Sequence, residues 1–562
     1  MFVQTTKSPR ANKTYLTYLV RESFRTAQGP RSRTLCNITA LPAPLREIIA
    51  ASLRGQSFLP AQDLQLHCAL DYGGLAVLAD AWRRYGLDAL LAGLGTKRQQ
   101  GLLQGMVFAR LLFPCAKLAL AEQAESTALA QVCGLSADES FDEDELYAAM
   151  DLLNGQWVAL EKRLYQNAFP NAVRLVLYDL SSVYFEGKGP RRLSRYGHSS
   201  DHRADRPQVL LAVATDTEGV PLHLQVLRGN RTGNKTLPGL LATLRRRFGI
   251  AEATLVFDGG MSSTVNLAAL NEAHLQFVTR LSNATMEALL AELPQEDQLE
   301  LGDRRQVVEL VREGKRYVIA GGLWRQERDQ QRRAVRMAKA AAALRKLAQV
   351  KRRKVDAQKL ASQAGRLLER LKAHKYFIYR VDPKGQLQWE EKAEVIARET
   401  QRDGWYLLHT NCPSSACPTE QVLGHYKGLL DVEEAFCELK SFLEVRPVFH
   451  WRPDRVRNHV RLCFLAYWMS ARLGGEWRLA KEKGEVPRIL RRLQSIRIGR
   501  LKVGRKPVRT LMTDIPRELN DTLEKLGLLK LFATLPPRLC SPTKTRNCHF
   551  TGLFARGERK LG

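Results

Sequence analysis

From Arg174 onward the sequence carries a pattern of strands and helices that leaves few folds open. RLVLYDLSSVYF and VLLAVATDTEGVPLHLQVLRGN read as strands, followed by a helix TLPGLLATLRRRF, a strand ATLVFDGG, a helix SSTVNLAALNEAH and a strand LQFVTRLS. A short turn at Glu218-Gly219 joins the early strands as antiparallel neighbours, whereas the later strands alternate with helices, as parallel neighbours must. The two connection types together predict a mixed α/β sheet. Two of its strands end in an aspartate, Asp179 after RLVLY and Asp258 after ATLVF. Ligands bind at the carboxyl ends of strands in open α/β sheets, so both acids fall where a site forms. Gly259-Gly260 lets the backbone turn away and leaves the Asp258 carboxylate open. No Lys-Ser/Thr follows, which argues against a phosphate-cradling loop.

A second stretch, YKGLLDVEEAFCELK from Tyr426 to Lys440, supplies a third acid. Val432, Ala435, Phe436, Leu439 and Leu443 recur at three and four residues, the pattern of a helix lying on a core. Tyr426, Glu433 and Lys440 stand one heptad apart, and a straight helix drifts only about 20° per heptad, so the three project from one edge as a file. Taken alone, Glu433 and Lys440 read as surface polar residues beside a core stripe, and the rest of the chain decides otherwise. Glu434 is the rival acid, but only Glu433 keeps both heptad spacings.

The charge balance narrows the partner. Lys and Arg number 87 against 58 acids, a formal charge of +29 in 562 residues, and the excess recurs along the chain. A polyanion is the expected partner, and nucleic acid leads. MFVQTTKSPR lacks an apolar signal core, and the apolar runs LLQGMVFARLLFPCAKLAL and VRLCFLAYWMSARL are interrupted or too short to span a bilayer, so neither secretion nor a membrane is expected. The ten cysteines contain no C-x-x-C pair; Cys412 and Cys417, and Cys548-His549, come nearest to a metal pattern, and reduced structural thiols are expected. Within a basic protein, Asp179, Asp258 and Glu433 make a carboxylate trio. Phosphodiester chemistry explains the number. Paired Mg²⁺ ions about 4 Å apart need bridging and flanking oxygen ligands, activate a water or a 3′-OH, and stabilise charge at phosphorus. Mn²⁺ can substitute.

These residues resemble a known family, the DDE transposases of bacterial insertion sequences, in the cut-and-paste branch with the Y-x2-R-x3-E-x6-K signature. YDLSSVYFEG, LVFDGG and the Tyr426 to Lys440 stretch match its motif blocks, and GHSSDHRADRPQVLLAV and EVRPVFHWRPDRVRNHVRLCFLA its flanking text. The resemblance implies a ribonuclease H-like core with Asp179, Asp258 and Glu433 as catalytic metal ligands, and with Tyr426 and Lys440 gripping DNA phosphates. It implies double-stranded DNA as partner, in the form of transposon-end inverted repeats and target, and a homodimer or higher oligomer as the active complex. It also implies a bacterial cytoplasmic, nucleoid-associated location. The signature's Arg falls on Leu429 here, between the catalytic edge and the apolar stripe. A nuclease or resolvase on the same fold, or a non-catalytic DNA-binding descendant, are the alternatives.

The remaining chain divides by pattern. YLTYLVRESFR and SRTLCNITAL predict a β-hairpin over residues 1–41, turning at Gly29-Pro30. Residues 42–170 predict a mainly helical block, DNA-binding or a plain bundle. The catalytic core covers 171–284 and 412–475, split by a β-rich insertion over 285–411, since about 170 residues between Asp258 and Glu433 exceed any crossover. The insertion holds a long basic helix from about Asp329 to His374, where Lys351, Arg352, Arg353 and Lys354 are candidate DNA contacts because that face carries one sign of charge. Trp324, Trp389 and Trp405 are candidates for stacking on an extruded base or for core packing. Residues 476–562 form a basic C-terminal region that serves oligomerisation or DNA.

Overall fold

The N-terminal residues form a meander of three strands, not a single hairpin: β1 (Phe2–Arg10), β2 (Lys13–Thr26) and β3 (Gly29–Asn37). β1 pairs antiparallel with β2 from Phe2 opposite Arg21 to Arg10 opposite Lys13. FVQTTKSPR escapes a sequence reading because it is mostly polar and carries Pro9, which an edge strand tolerates. The β2–β3 turn falls at Ala27 and Gln28, just ahead of Gly29, whose φ of +111° only glycine adopts without strain. The structure, a computed structural model, describes residues 1–10, 13–56, 64–136, 141–292, 307–349, 356–482, 485–503 and 509–535. The chain divides into two units, Met1–Ala76 with Glu122–Glu139 and Arg492–Gly562, and Val77–Ala121 with Ser140–Arg491.

Within the first unit, LQLHCALD forms β4 (Leu64–Asp71), a strand inside a stretch that otherwise reads as helical. Its Leu64, Leu66, Cys68 and Leu70 repeat at two residues, the strand period.

The second unit is built on an eight-stranded sheet. Its strands are β5 (Leu175–Tyr184), β6 (Gln208–Thr215), β7 (Pro221–Arg228), β8 (Thr254–Phe257), β9 (Gln276–Arg280), β10 (Val307–Arg312), β11 (Lys315–Gly321) and, after a separate hairpin of β12 (Phe377–Val381) and β13 (Leu387–Glu391), β14 (Trp405–Thr410). The order is β10-β11-β14-β9-β8-β5-β6-β7. β5, β6 and β7 are antiparallel, while β5, β8 and β9 run parallel. The sheet is therefore mixed, as the connection types predict. One face is covered by the helices Leu237–Arg246 and Thr264–Glu272, whose Leu237, Leu240, Leu244 and Leu270 pack with Val176, Tyr178, Leu255, Phe257 and Phe277. Side chains alternate along a strand, so Leu177 and Asp179 of β5 point to the opposite face. There Leu177 meets Gly428, where an added Cβ would sit 3.3 Å from its side chain.

Three elements depart from their reading by sequence. The basic helix is two helices among the described residues, Leu323–Ala348 and Ala357–Arg370, which share a core of Ala340, Leu344, Leu360, Ala364 and Leu368 with the β12–β13 hairpin. Strands β10, β11 and β14, which sequence places in an insertion, extend the central sheet by antiparallel pairing onto β9. The apolar run VRLCFLAYWMSARL, which by its length alone reads as a short helix around Leu462 to Met469, lies in a 27-residue helix, Pro453–Leu479, because its polar ends continue the buried face beyond the apolar run. Among the described residues no single helix is long and apolar enough to cross a membrane. The first unit closes with β15 (Arg497–Val503), which pairs with both β4 and β16 (Arg509–Met512) and joins Arg497 to Asp71 at 2.8 Å.

Candidate active site

Asp179 stands in the middle of β5 and not at its end, because the strand continues to Tyr184 against β6. It nevertheless marks an end of a different kind. The parallel ladder to β8 stops at Tyr178 opposite Phe257, and the next residue of each strand is an aspartate. Asp179 and Asp258 thus sit side by side on neighbouring strands, whose spacing is about 4.8 Å. Past Phe257 the chain turns in a single helical turn, Gly259–Met261. An added Cβ at Gly259 would lie 2.5 Å from the Arg280 carbonyl oxygen, so the tight approach of this turn to β9 requires glycine.

Glu433 arrives on a helix over the same edge. The stretch read as one straight helix is three pieces: Thr419–Lys427 and Leu429–Cys437, which meet at Gly428, and a wider π-type turn, Glu438–Phe442. Val432, Ala435, Phe436, Leu439 and Leu443 are all buried, as the stripe requires. Tyr426, Leu429 and Glu433 line one cavity of about 230 Å³ with Asp179 and Asp258. Glu434 lines a different one. The π turn takes up an extra residue and so rotates the side chains that leave it. Lys440 is correspondingly absent from the cavity lining; its ammonium donates to Asp201 at 2.8 Å and to Ser200 at 3.0 Å. The straight-helix file therefore joins Tyr426 to Glu433 and loses Lys440.

The same cavity is also lined by cations, which were not legible in the sequence. Arg280 from the end of β9, Arg325 and Arg328 from the first turns of Leu323–Ala348, and Lys427 complete the lining. Tyr406 stacks on Tyr426 with ring centroids 5.6 Å apart, and the Arg325 guanidinium lies 5.2 Å over the Tyr406 ring. Both Arg280 and Arg325 keep a buried Nε without a hydrogen-bond partner among the described residues. The one available signal was the placement of Arg280 at the carboxyl end of a strand, as for the two aspartates. Lys351, Arg352, Arg353 and Lys354 lie outside the described residues, as does the Trp324 side chain; Trp405 is buried in the core, and Trp389, within β13, packs against the core that the hairpin shares with the two helices.

The electrostatics fit a cation between the acids. Burial pushes the Asp179 carboxyl up to about 7, and the charges of Asp258 and Glu433 push the same way, against a backbone N–H and Lys440. Three hard oxygen donors are a suitable donor set for a divalent metal, although among the described residues no three acids form a ready-made cluster. Cys412 and Cys417 are buried thiols, with Cys412 donating to Gln276 at 3.4 Å.

A family model described as a transposase DDE domain matches residues 174–469, more than half of the chain, and spans every acid of the site. The chain belongs to this transposase family. DDE transposases are metal-dependent endonucleases and polynucleotidyl transferases, and the oxygen donors of this cavity suit that chemistry. This transposase also shows similarity to the solved piggyBac transposase in its synaptic complex with hairpin DNA, with a TM-score of 0.36 and 9% identity over 81% of this chain and 83% of that one. A likeness at that level adds nothing to the assignment. No curated protein sequence matches the chain.

Proposed function

We propose that this transposase cleaves DNA at the ends of its own element and joins the 3′-OH ends to target DNA. The observation that carries the reading is a single cavity lined both by the acids Asp179, Asp258 and Glu433 and by the cations Arg280, Arg325, Arg328 and Lys427. A scissile phosphate needs both a cation-binding pole and a cationic pole. Bound Mg²⁺, held by Asp179, Asp258 and Glu433, supplies Lewis-acid stabilisation and an activated oxygen nucleophile, with Mn²⁺ able to substitute. The arginines hold the non-bridging phosphate oxygens, since planar guanidinium forks match them. Tyr426, stacked on Tyr406, fixes the wall from which Glu433 reaches inward. Lys440, through its buried pairing with Asp201, positions the chain beside Asp179.

The core is read as ribonuclease H-like. That reading is supported by the order β7-β6-β5-β8-β9, three antiparallel strands followed by two parallel ones with the acids on the two central strands. The spacing of Tyr426, Glu433 and Lys440 supports the insertion-sequence branch, and with it a bacterial cytoplasm. The charge of +29 supports double-stranded DNA, ends and target alike, as partner. The active complex is a homodimer or higher oligomer, so that two ends are handled together.

The test is a Mg²⁺-dependent strand-transfer assay with candidate end sequences. Cleavage with joining supports the proposal. Cleavage without joining identifies a nuclease or resolvase, and binding with neither identifies a non-catalytic descendant.

A further inference from the structure

Apart from the acidic site, the second unit contains a cavity of about 150 Å³ with the opposite polarity. It lies between the helix Lys97–Leu112, the start of Lys117–Glu125, and the segment just beyond the π turn. Lys117 is 6% exposed, Arg110 is 7% exposed, and both line it. The Arg110 guanidinium is held by the carbonyls of Cys115, Leu443 and Glu444. Lys117 differs: among the described residues its ammonium has neither a carboxylate nor a hydrogen-bond acceptor as partner. A third cation, Arg446, reaches the cavity from its pairing with Asp201.

An unpaired ammonium beside a guanidinium is a costly arrangement. Burial pushes Lys117 down to about 7, and Arg110 adds to the effect. The imidazoles of His450 and His459 face the same space and are held neutral by burial and by these cations. Glu444, exposed at the mouth, is the one carboxylate among the lining residues. The pocket thus carries excess positive charge and has room for a small anion. Phe449, one of the lining residues, is 62% exposed, and Trp451, two residues on in sequence, is 68% exposed, with Arg452 next. Exposed aromatics flanked by Arg446 and Arg452 suit the sugars that adjoin a backbone phosphate.

We infer that the Lys117 cavity is a second phosphate-binding site, which takes one backbone phosphate of duplex DNA while Phe449 and Trp451 lie against the adjoining nucleotides. A phosphate offers several acceptor oxygens to the lysine and the guanidiniums together, and it supplies the missing counter-charge. The site is separate from the acidic cavity, with which it shares no lining residue. The chemistry alone fits a free phosphate too; the choice of DNA rests on the reading of this chain as a DNA transposase.

The test uses the full-length protein and two probes. First, inorganic phosphate at ionic strength matched with chloride should raise the melting temperature of the wild type, and the rise should vanish in Lys117→Met. That variant removes a buried charge and keeps the volume, so it should melt no lower than wild type without phosphate. Second, the dependence of duplex binding on salt should be shallower in Lys117→Met by about one unit of slope, since one phosphate contact is lost. Phe449→Ala with Trp451→Ala should weaken duplex binding and leave the phosphate effect intact. An equal phosphate effect in wild type and Lys117→Met overturns the site. A lost phosphate effect with an unchanged salt slope overturns DNA as its source and leaves a free phosphate. Neither probe reads cleavage, so failure of the transposition reading would show separately in the strand-transfer assay.

Discussion

The substitution Leu429→Arg tests the site most sharply, because position 429 is where the signature arginine is missing. Leu429 is partly exposed and lines the cavity with Asp179, Asp258, Glu433 and the four cations. A longer side chain therefore has open space, and the loss of part of a leucine's burial costs about 1 kcal/mol. In the free protein the new guanidinium meets acids as well as cations, including Glu433 one turn on, so no large electrostatic penalty is expected. When a phosphate enters, a charge-assisted hydrogen bond contributes about 1.5–3 kcal/mol, or roughly ten- to 150-fold in affinity for end DNA. The expected result is a melting temperature lowered by a few degrees at most, with tighter end binding that weakens faster as salt rises. Thermal melting, competition binding at two salt concentrations and strand-transfer yield measure these together. A loss of several kcal/mol in stability with no gain in binding would refute the reasoning, since that outcome belongs to a charge stranded in a core.

Three further outcomes are expected. Asp179→Ala, Asp258→Ala and Glu433→Ala should each abolish Mg²⁺-dependent cleavage while end binding persists, and Glu434→Ala, on the other cavity, should cost little; retained cleavage in any of the first three removes that residue from the site. Replacement of Lys351, Arg352, Arg353 and Lys354 by Gln should flatten the salt dependence of DNA binding by roughly one unit per lost contact, and an unchanged slope would mark a merely solvated stretch. Glu161, fully buried, accepts from His223 at 2.9 Å, from the Leu224 N–H at 3.2 Å and from Arg247. Burial raises its carboxyl, but His223 and Arg247 outweigh that and hold it below its ordinary value of 4.5. Its contribution is therefore present above the unfolded value and lost as pH falls through the folded one. Glu161→Gln should cost about 3–5 kcal/mol near neutrality and progressively less below about pH 4; a deficit that stays constant in acid would contradict the assignment.

The acids were readable because each sits where local pattern is informative. Asp179 and Asp258 come directly after apolar strand residues, and Glu433 rides an apolar stripe whose five members are all buried. The features that stayed hidden depend on chain segments far apart. Arg280, Arg325 and Tyr406 meet Tyr426 through sheet pairing and stacking, which no helical or strand spacing encodes. The displacement of Lys440 has a local cause, the π turn at Glu438–Phe442, but nothing in ELKSF distinguishes that turn from an ordinary helical one. β1 was lost to its own polarity, and β4 to helical neighbours on either side.

The antiparallel seam between β9 and β14 also has a mechanical meaning. The chain leaves the sheet after β11, builds a second core, and returns through β14, with Arg333 and Asp403 clasped at 2.6 Å where the outgoing helix and returning strand pass each other. The returning strand is thus stitched to the strand that carries Arg280, and the outgoing strand to the returning one. Force applied to the helix Leu323–Ala348 cannot be absorbed by a loose neck. A load on that helix is expected to reach Arg325, on the helix itself, and Arg280, through the seam, and both line the cavity in which the acids work.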